Sequence, residues 1–315
     1  MINTTDKALH NIDNQMHPAL QLLSFILIFL AALIIGNLVG AGIAAAFYGL
    51  SSVMDIAQGN YTAPHVTNAL WIVQIAGTTI PIFVAPVFYA YVIARDPQDY
   101  VKPTFRFPLI LLALVFCIMF ISSPLIEFLS NINEKMVLPQ FLSGVQKWMR
   151  ASEDAAQKLT TLLLKMNSVW DMLFNLIVIG LLTAIAEEFM FRGVIQTIFT
   201  RWTNNKHAAI WITAILFSAF HMEFFGFLPR LMLGVLFGYF VAWSGSIWPA
   251  VWAHFINNGT AVVVTYLFQQ KKISINPDDQ HVFNWVGYVF SLVIVLFLLY
   301  VYRNISLNKK LLRLY

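Results

Sequence analysis

Two adjacent carboxylates, Glu187 and Glu188, stand in the run "AIAEEFMFRG" with Arg192 four residues after the second. On a helix, positions i and i+4 share a face, so Glu188 and Arg192 can neutralise one another. Glu187 is rotated about 100° from that pair and has no such partner. Further along, "FSAFH" sets Phe217 and His221 on one face, and "HFINN" sets His254 and Asn258 on one face with Asn257 turned aside.

An unpaired carboxylate in apolar surroundings is a general base in waiting, and imidazole and amide groups supply a second base and donors for a developing oxyanion. That set suits hydrolysis of an acyl bond. The same residue types allow a second chemistry. Glu187, His221 and His254 form a two-histidine, one-carboxylate set of the kind that leaves zinc a position for water. The residues alone leave both open: no cofactor, or a zinc ion.

The elements that must carry these groups are membrane helices. Of the 315 residues, 59% are hydrophobic and 11% charged, with a mean hydropathy of +0.72, far from the soluble range. Apolar runs long enough to cross a hydrocarbon core of about 30 Å fall near 20–46, 66–94, 107–129, 169–200, 207–224, 227–243, 247–268 and 282–302. The expected fold is therefore all-α, a polytopic membrane bundle of about eight transmembrane helices. It divides into 1–165, N-terminal membrane helices with an interfacial amphipathic segment; 166–270, the core that carries the motifs; and 271–315, a last membrane helix and basic tail, all within one integrated membrane domain.

The pair 207–224 and 227–243 is separated by little more than Gly226. A turn that tight must hide its backbone polar groups in protein. Between Ser130 and Asn167, charges alternate with apolar residues as in a helix lying at the membrane surface, read as a connector in preference to a lid. The glycine pairs Gly36/Gly40 and Gly234/Gly238 mark close helix packing and carry no chemistry on this reading. Trp202, Trp211, Trp243, Trp248 and Trp252 fall near expected membrane boundaries. The single cysteine, Cys117, excludes an intramolecular disulfide.

Basic residues set the expected orientation. Lys7, Arg95, Lys102, Arg106, Arg201, Lys206, Arg303, Lys309, Lys310 and Arg313 fall on one side, against Arg230, Lys271 and Lys272 in the short loops opposite. The long 127–167 stretch adds five more to that opposite side, so the bias is moderate. Both termini are expected in the cytoplasm of a bacterial cell, and the chain is expected to be an integral, multi-pass membrane protein. The net charge of +4 follows from this bias, and no basic cluster with interleaved aromatics points to nucleic acid.

Ionisable groups at membrane depth mark functional sites by default. With a rise of 1.5 Å per residue, Glu187 lies about 22 Å from Trp202, His221 about 21 Å from His207, and His254 and Asn258 about 12 and 18 Å from Ser246. Helices that alternate in direction thus bring the polar groups to a similar level, in one buried site.

The ordered triple Glu187-Glu188-x-x-x-Arg192, Phe217-x-x-x-His221 and His254-x-x-x-Asn258 resembles the motifs of the CPBP family. These are the CAAX-protease and bacteriocin-processing (ABI) intramembrane peptidases, which include the Ras-converting type II CAAX endopeptidases. The resemblance covers about residues 180–260. It implies an eight-helix bundle around a conical cavity open to the cytosol and to lipid, and an endopeptidase acting on a membrane-embedded or lipidated peptide. On this reading Glu187 activates water with help from His221, His254 and Asn258 stabilise the oxyanion, and Glu188 and Arg192 hold Glu187 in place. Motifs of serine, aspartyl and HExxH intramembrane proteases are absent. Two other readings stay open: an ion-coupled transporter, against which no repeated half with broken helices is found, and a non-enzymatic bacteriocin-immunity or scaffold protein.

Overall fold

The computed structural model describes residues 16–274, 276 and 282–308. Among them every regular element is helical. Lys7, Lys309, Lys310 and Arg313 lie outside the described residues, as do the two ends of the chain on which the orientation expectation rests.

Each of the eight apolar runs forms helix. In chain order the elements are α1 (Pro18–Tyr48), the short α2 (Leu50–Gln58), α3 (Val66–Ile93), α4 (Ile110–Ile121), α5 (Ser123–Glu134), α6 (Ser143–Leu163), α7 (Val169–Thr203), α8 (Lys206–Phe220), α9 (Phe227–Ser244), α10 (Trp248–Gln269) and α11 (Trp285–Leu307). Five of the spans are long and apolar enough to cross a membrane alone: α1, α3, α7, α9 with its preceding turn, and α11. The pair α4 and α5, bent by 44°, passes the same length and apolarity test only when taken together as one broken span. The two runs that fall short are α8 and α10, and both carry site residues. At 15 residues, α8 reaches only about 22 Å, and α10 spends apolar length on His254, Asn257 and Asn258.

Local chemistry fixes the boundaries. Pro18 opens α1, and Gly49 closes it at φ 83°, a conformation few other residues adopt. A reciprocal capping box between Ser168 and Asp171 starts α7. Asn205 caps the amides of His207 and Ala208 at the start of α8.

The lipid side is apolar and exposed, as at Leu38, Phe47, Val286 and Tyr300, and Cys117 is exposed on α4 in the same way. The core lies where α7, α9 and α10 meet, with Phe191, Phe237, Phe240, Ala250 and Ala253 buried together. Gly36 packs so closely on α3 that a Cβ there would come within 2.4 Å of the Ala76 carbonyl oxygen. The small-residue pairs therefore do mark close approach. Trp248 and Trp252 are held within protein as well as near a boundary, donating their indole N–H groups to the carbonyls of Pro103 and Leu112 at 3.0 and 3.1 Å.

Two expectations are refined. The connection from α8 to α9 does not turn on Gly226 alone: α8 ends at Phe220, and Met222 takes a left-handed φ of 57°. The connection does hide its backbone polar groups in protein, as the membrane requires. Asn133 donates to the Phe224 carbonyl at 2.8 Å and accepts from the Leu228 amide at 2.5 Å, and Glu153 on α6 accepts from the Phe225 amide at 3.0 Å. Helix α7 is also not uniformly α-helical. It contains π-helical stretches at Leu176–Leu182 and Phe189–Ile195, on either side of the α-helical turn that carries the glutamates. A π turn rises less per residue than an α turn, so Glu187 lies shallower than the uniform-rise figure.

Candidate active site

Five of the six motif residues meet in one polar cluster. Arg192 Nη1 donates to Glu188 Oε1 at 2.8 Å, and both side chains are 0% exposed. Arg192 Nη2 also donates to the Gly234 carbonyl on α9 at 3.3 Å. Its guanidinium carbon stands 4.2 Å from the centre of the Phe217 ring and 5.3 Å from that of Phe237. The charge is thus neutralised by one carboxylate and walled by two aromatic faces, an arrangement that suits guanidinium better than ammonium.

Glu188 has a second role that its spacing does not reveal. The oxygen that receives Arg192 also lies 2.8 Å from His254 Nδ1. A carboxylate accepts, so Nδ1 carries the proton in this bond and Nε2 is turned to the far side. His221 is oriented similarly, since its Nδ1 lies 2.9 Å from the Phe217 carbonyl and must donate to it.

Both Nε2 atoms then face Glu187. Its Oε2 stands 3.7 Å from His221 Nε2 and 3.8 Å from His254 Nε2. These separations exceed a direct hydrogen bond and leave the Glu187 oxygen close to both ring nitrogens without bonding either. Glu187 is 7% exposed, and Oε2 has no hydrogen-bond partner of its own. In the bilayer an unpartnered buried carboxylate oxygen costs several kcal/mol, so a protein retains one for a reason.

Asn258 lies apart from this triad. Its amide donates to the Ile179 carbonyl at 3.2 Å, in the first π-helical stretch of α7, while its oxygen accepts from Asn257 at 3.2 Å. In this arrangement one of its two N–H groups is committed to joining α10 to α7. Phe217 packs edge-on against both histidines, with ring centres 5.0 and 5.9 Å away.

Spacing did not mark Phe237 or the Gly234 carbonyl as part of the site. The signal available was "GVLFG" itself, read for packing only. A Cβ on Gly234 would stand 3.0 Å from that of Ala214, so glycine lets α9 lie close against α8, and its carbonyl accepts from Arg192 on α7.

Glu187, His221 and His254 would have to close by a few tenths of an ångström to hold a zinc ion. Tetrahedral ligands about 2.0–2.2 Å from zinc lie about 3.3 Å from one another, whereas the Glu187 oxygen is 3.7 and 3.8 Å from the two ring nitrogens. Among the described residues no group of three or more His, Cys, Asp or Glu side chains is arranged to hold a metal.

The site lies toward one face of the bundle. His221 caps the end of α8 next to the 224–226 turn, and α6 packs over that turn through Arg150, set 3.6 Å from the centre of the Phe225 ring.

Comparison with known proteins agrees with the motif reading. Residues 169–260 match the model of the family described as "Type II CAAX prenyl endopeptidase Rce1-like", so the resemblance seen in the motifs holds over that segment. A protein of Bacillus subtilis (strain 168) described as "Uncharacterized protein YpbD" is 31% identical over 86 residues, 26% of this chain and 41% of that protein. The chain thus matches less than half the length of this relative. No solved structure matches.

Proposed function

We propose that this chain is an intramembrane endopeptidase of the type II CAAX prenyl endopeptidase kind, hydrolysing a peptide bond in a membrane-associated or lipidated peptide without a metal. The observation that carries the reading is the unpartnered Glu187 Oε2, buried and facing two imidazole nitrogens at 3.7 and 3.8 Å.

Charge balance assigns the roles. Glu187 and Glu188 bring two negative charges and Arg192 one positive, so the buried set reaches neutrality with one further proton. His254 lies between the two carboxylates and is the best place for it. Protonated on both nitrogens, it donates through Nδ1 to Glu188 and offers Nε2–H to an oxyanion. Arg192 and Glu188 therefore act through His254 as much as through the Glu187 backbone.

In the reaction a water gives one proton to Glu187 Oε2 and is oriented by donating the other to His221 Nε2. Its oxygen bonds to the scissile carbonyl carbon, and the carbonyl π electrons move onto oxygen, where His254 Nε2–H stabilises them. The C–N bond then breaks, and Glu187 returns its proton to the leaving nitrogen. Atoms and charge balance with water as the one co-reactant. Phe217 and Phe237 wall the cluster and keep the local dielectric low, which strengthens each of these contacts.

The purified chain in detergent, given an internally quenched peptide in farnesylated and unfarnesylated forms, tests this reading. Cleavage by the parent and none by Glu187→Gln supports it. Equal cleavage by both removes Glu187 from the role of base.

Substrate access depends on orientation. The family resemblance places the cavity mouth in the cytosol, whereas the basic-residue bias places the α6 end, where the site lies, outside. Reporters on α6 decide between them.

A further inference from the structure

At the opposite end of α7 from Glu187, the structure holds a second polar chamber that the proposed hydrolysis does not use. A cavity of about 230 Å³ is lined by Lys102, Lys206 and Arg201, by the hydroxyls of Thr197 and Thr200, by Gln196, and by the turn at Gly245 that closes α9. It sits where the 95–109 connection, the end of α7, the start of α8 and the end of α9 meet. Trp202 and Trp243 lie on the same helix ends, as tryptophans near a membrane boundary do.

Its charges are unevenly matched. The carboxylate in the lining, Asp99, is taken up by Arg201 at 2.5 Å, and Asp96 reaches the same guanidinium at 3.7 Å. Lys102 forms no ion pair with a carboxylate among the described residues. Its ammonium donates to the Asp99 carbonyl and to Thr197 Oγ1. Burial of that end, opposed by the nearby Asp99, lowers the lysine to about 8. Lys206, exposed at the start of α8, adds a second cation that forms no ion pair among the described residues.

The chain works to hold Lys102 there. The residue adopts a left-handed φ of 52°, uncommon for lysine. Its carbonyl accepts from the Ile247 amide at 3.1 Å, and the next residues are pinned by Ser246 and Trp248 to the carbonyls of Thr104 and Pro103 at 2.6 and 3.0 Å. Gln196, 6% exposed, ties this end of α7 to α9 by donating its amide to the Gly238 carbonyl at 3.3 Å. The Lys102 ammonium, largely withdrawn from water and bonded only to neutral oxygens, is costly to hold unless a ligand supplies the opposite charge.

We infer that this cavity binds the phosphate group of an anionic lipid headgroup, with Lys102 and Lys206 holding the phosphate. Basic pockets between transmembrane helices at a membrane surface are the usual form of such sites. Inorganic phosphate shares the charge chemistry but lacks acyl chains to lie along the bundle. The inference is independent of the peptidase reading, since no residue of the cavity belongs to the catalytic cluster.

The full chain in detergent is titrated with phosphatidylglycerol, phosphatidylcholine or inorganic phosphate while thermal unfolding is followed. Phosphatidylglycerol, whose headgroup carries the net negative charge that phosphatidylcholine lacks, should raise the unfolding temperature with saturation, and phosphatidylcholine should not. In Lys102→Met the apparent affinity should fall roughly tenfold or more, as expected for loss of a charge-assisted contact. The unliganded variant should be no less stable than the parent. Lys206→Gln alters only an exposed residue, so it carries the test should Lys102→Met not fold, and a similar loss is expected there. A response to inorganic phosphate equal to that of the lipid would overturn the lipid assignment. A phosphatidylglycerol shift unchanged in both variants, or none in the parent, would overturn the site.

Discussion

Glu188 Oε1 lies 2.8 Å from Arg192 on its own helix and 2.8 Å from His254 Nδ1 on α10, so one carboxylate oxygen ties the ion pair to the imidazole. Stability and catalytic geometry are therefore coupled through a single atom, and variants at either end of this chain of contacts should separate the two effects.

Arg192→Ala leaves Glu188 buried with only His254 to balance it. Loss of one partner of a buried pair costs about 3 to 5 kcal/mol, so this variant should unfold in detergent well below the parent. The double change Glu188→Gln with Arg192→Met removes the isolated charge and should recover much of that loss. It also removes the charged acceptor that orients His254, so activity should stay low while stability returns. Parental stability in Arg192→Ala would show that the pair does not hold the bundle together.

Glu187→Gln keeps shape and volume while removing the base. Turnover should fall about 10²- to 10⁴-fold, with unfolding unchanged or slightly raised, because a desolvated charge has gone. His221→Gln should lose less than Glu187→Gln, since it orients water and does not carry the proton away. A quenched-peptide assay of both variants gives the ranking, and the reverse order would exchange their roles.

A strong chelator should leave peptidase activity within about twofold of its starting value after prolonged dialysis, because the proposed base and oxyanion donor are side chains of this chain. Loss of activity restored by zinc and not by calcium would replace this mechanism with one in which Glu187, His221 and His254 move together around the ion.

Glu153 gives a pH dependence outside the spans. Burial against the 224–226 turn raises its carboxyl above the usual range, the Phe225 amide and the cations of Arg150 and Arg230 act the other way, and Glu223 adds to the rise. A raised carboxyl pKa favours the neutral form in the docked state. That contribution is fully present below the ordinary value near 4.5 and is lost as pH rises through the raised one. Docking of α6 should weaken over that window, read as faster amide exchange at Phe225. Glu153→Gln should remove the dependence, and an unchanged pH profile in that variant would assign it to another group.

Orientation is tested at Gln157 on α6. With both termini cytoplasmic, Gln157→Cys in a Cys117→Ser background should react with a membrane-impermeant maleimide on intact cells. Protection until the cells are opened would put α6 and the mouth of the site in the cytoplasm and reverse the charge-based assignment.

Much of the architecture follows from sequence because the bilayer leaves backbone polar groups no alternative to internal pairing. Apolar runs of about 20 residues become helices whatever their neighbours, so each of the eight forms helix. Glu188 and Arg192 pair because i and i+4 lie on one face of one helix, a local fact. The length and apolarity of α8 and α10 were less legible, since a site placed in a span displaces the residues that identify it as one. Contacts between helices were out of reach in principle. Periodicity gives the face on which His254 lies but not what stands opposite it, so the sharing of Glu188 between Arg192 and His254, and the turning of Asn258 toward the Ile179 carbonyl, depend on how α10 sits against α7. Two π-helical stretches in α7 decide that fit by rotating the glutamate turn relative to both ends of the helix. Their hydrogen-bond register is set by packing rather than by any residue pattern. Gly234 makes the same point from the other side. Its small size was visible, but only the assembled bundle made its carbonyl a partner for Arg192.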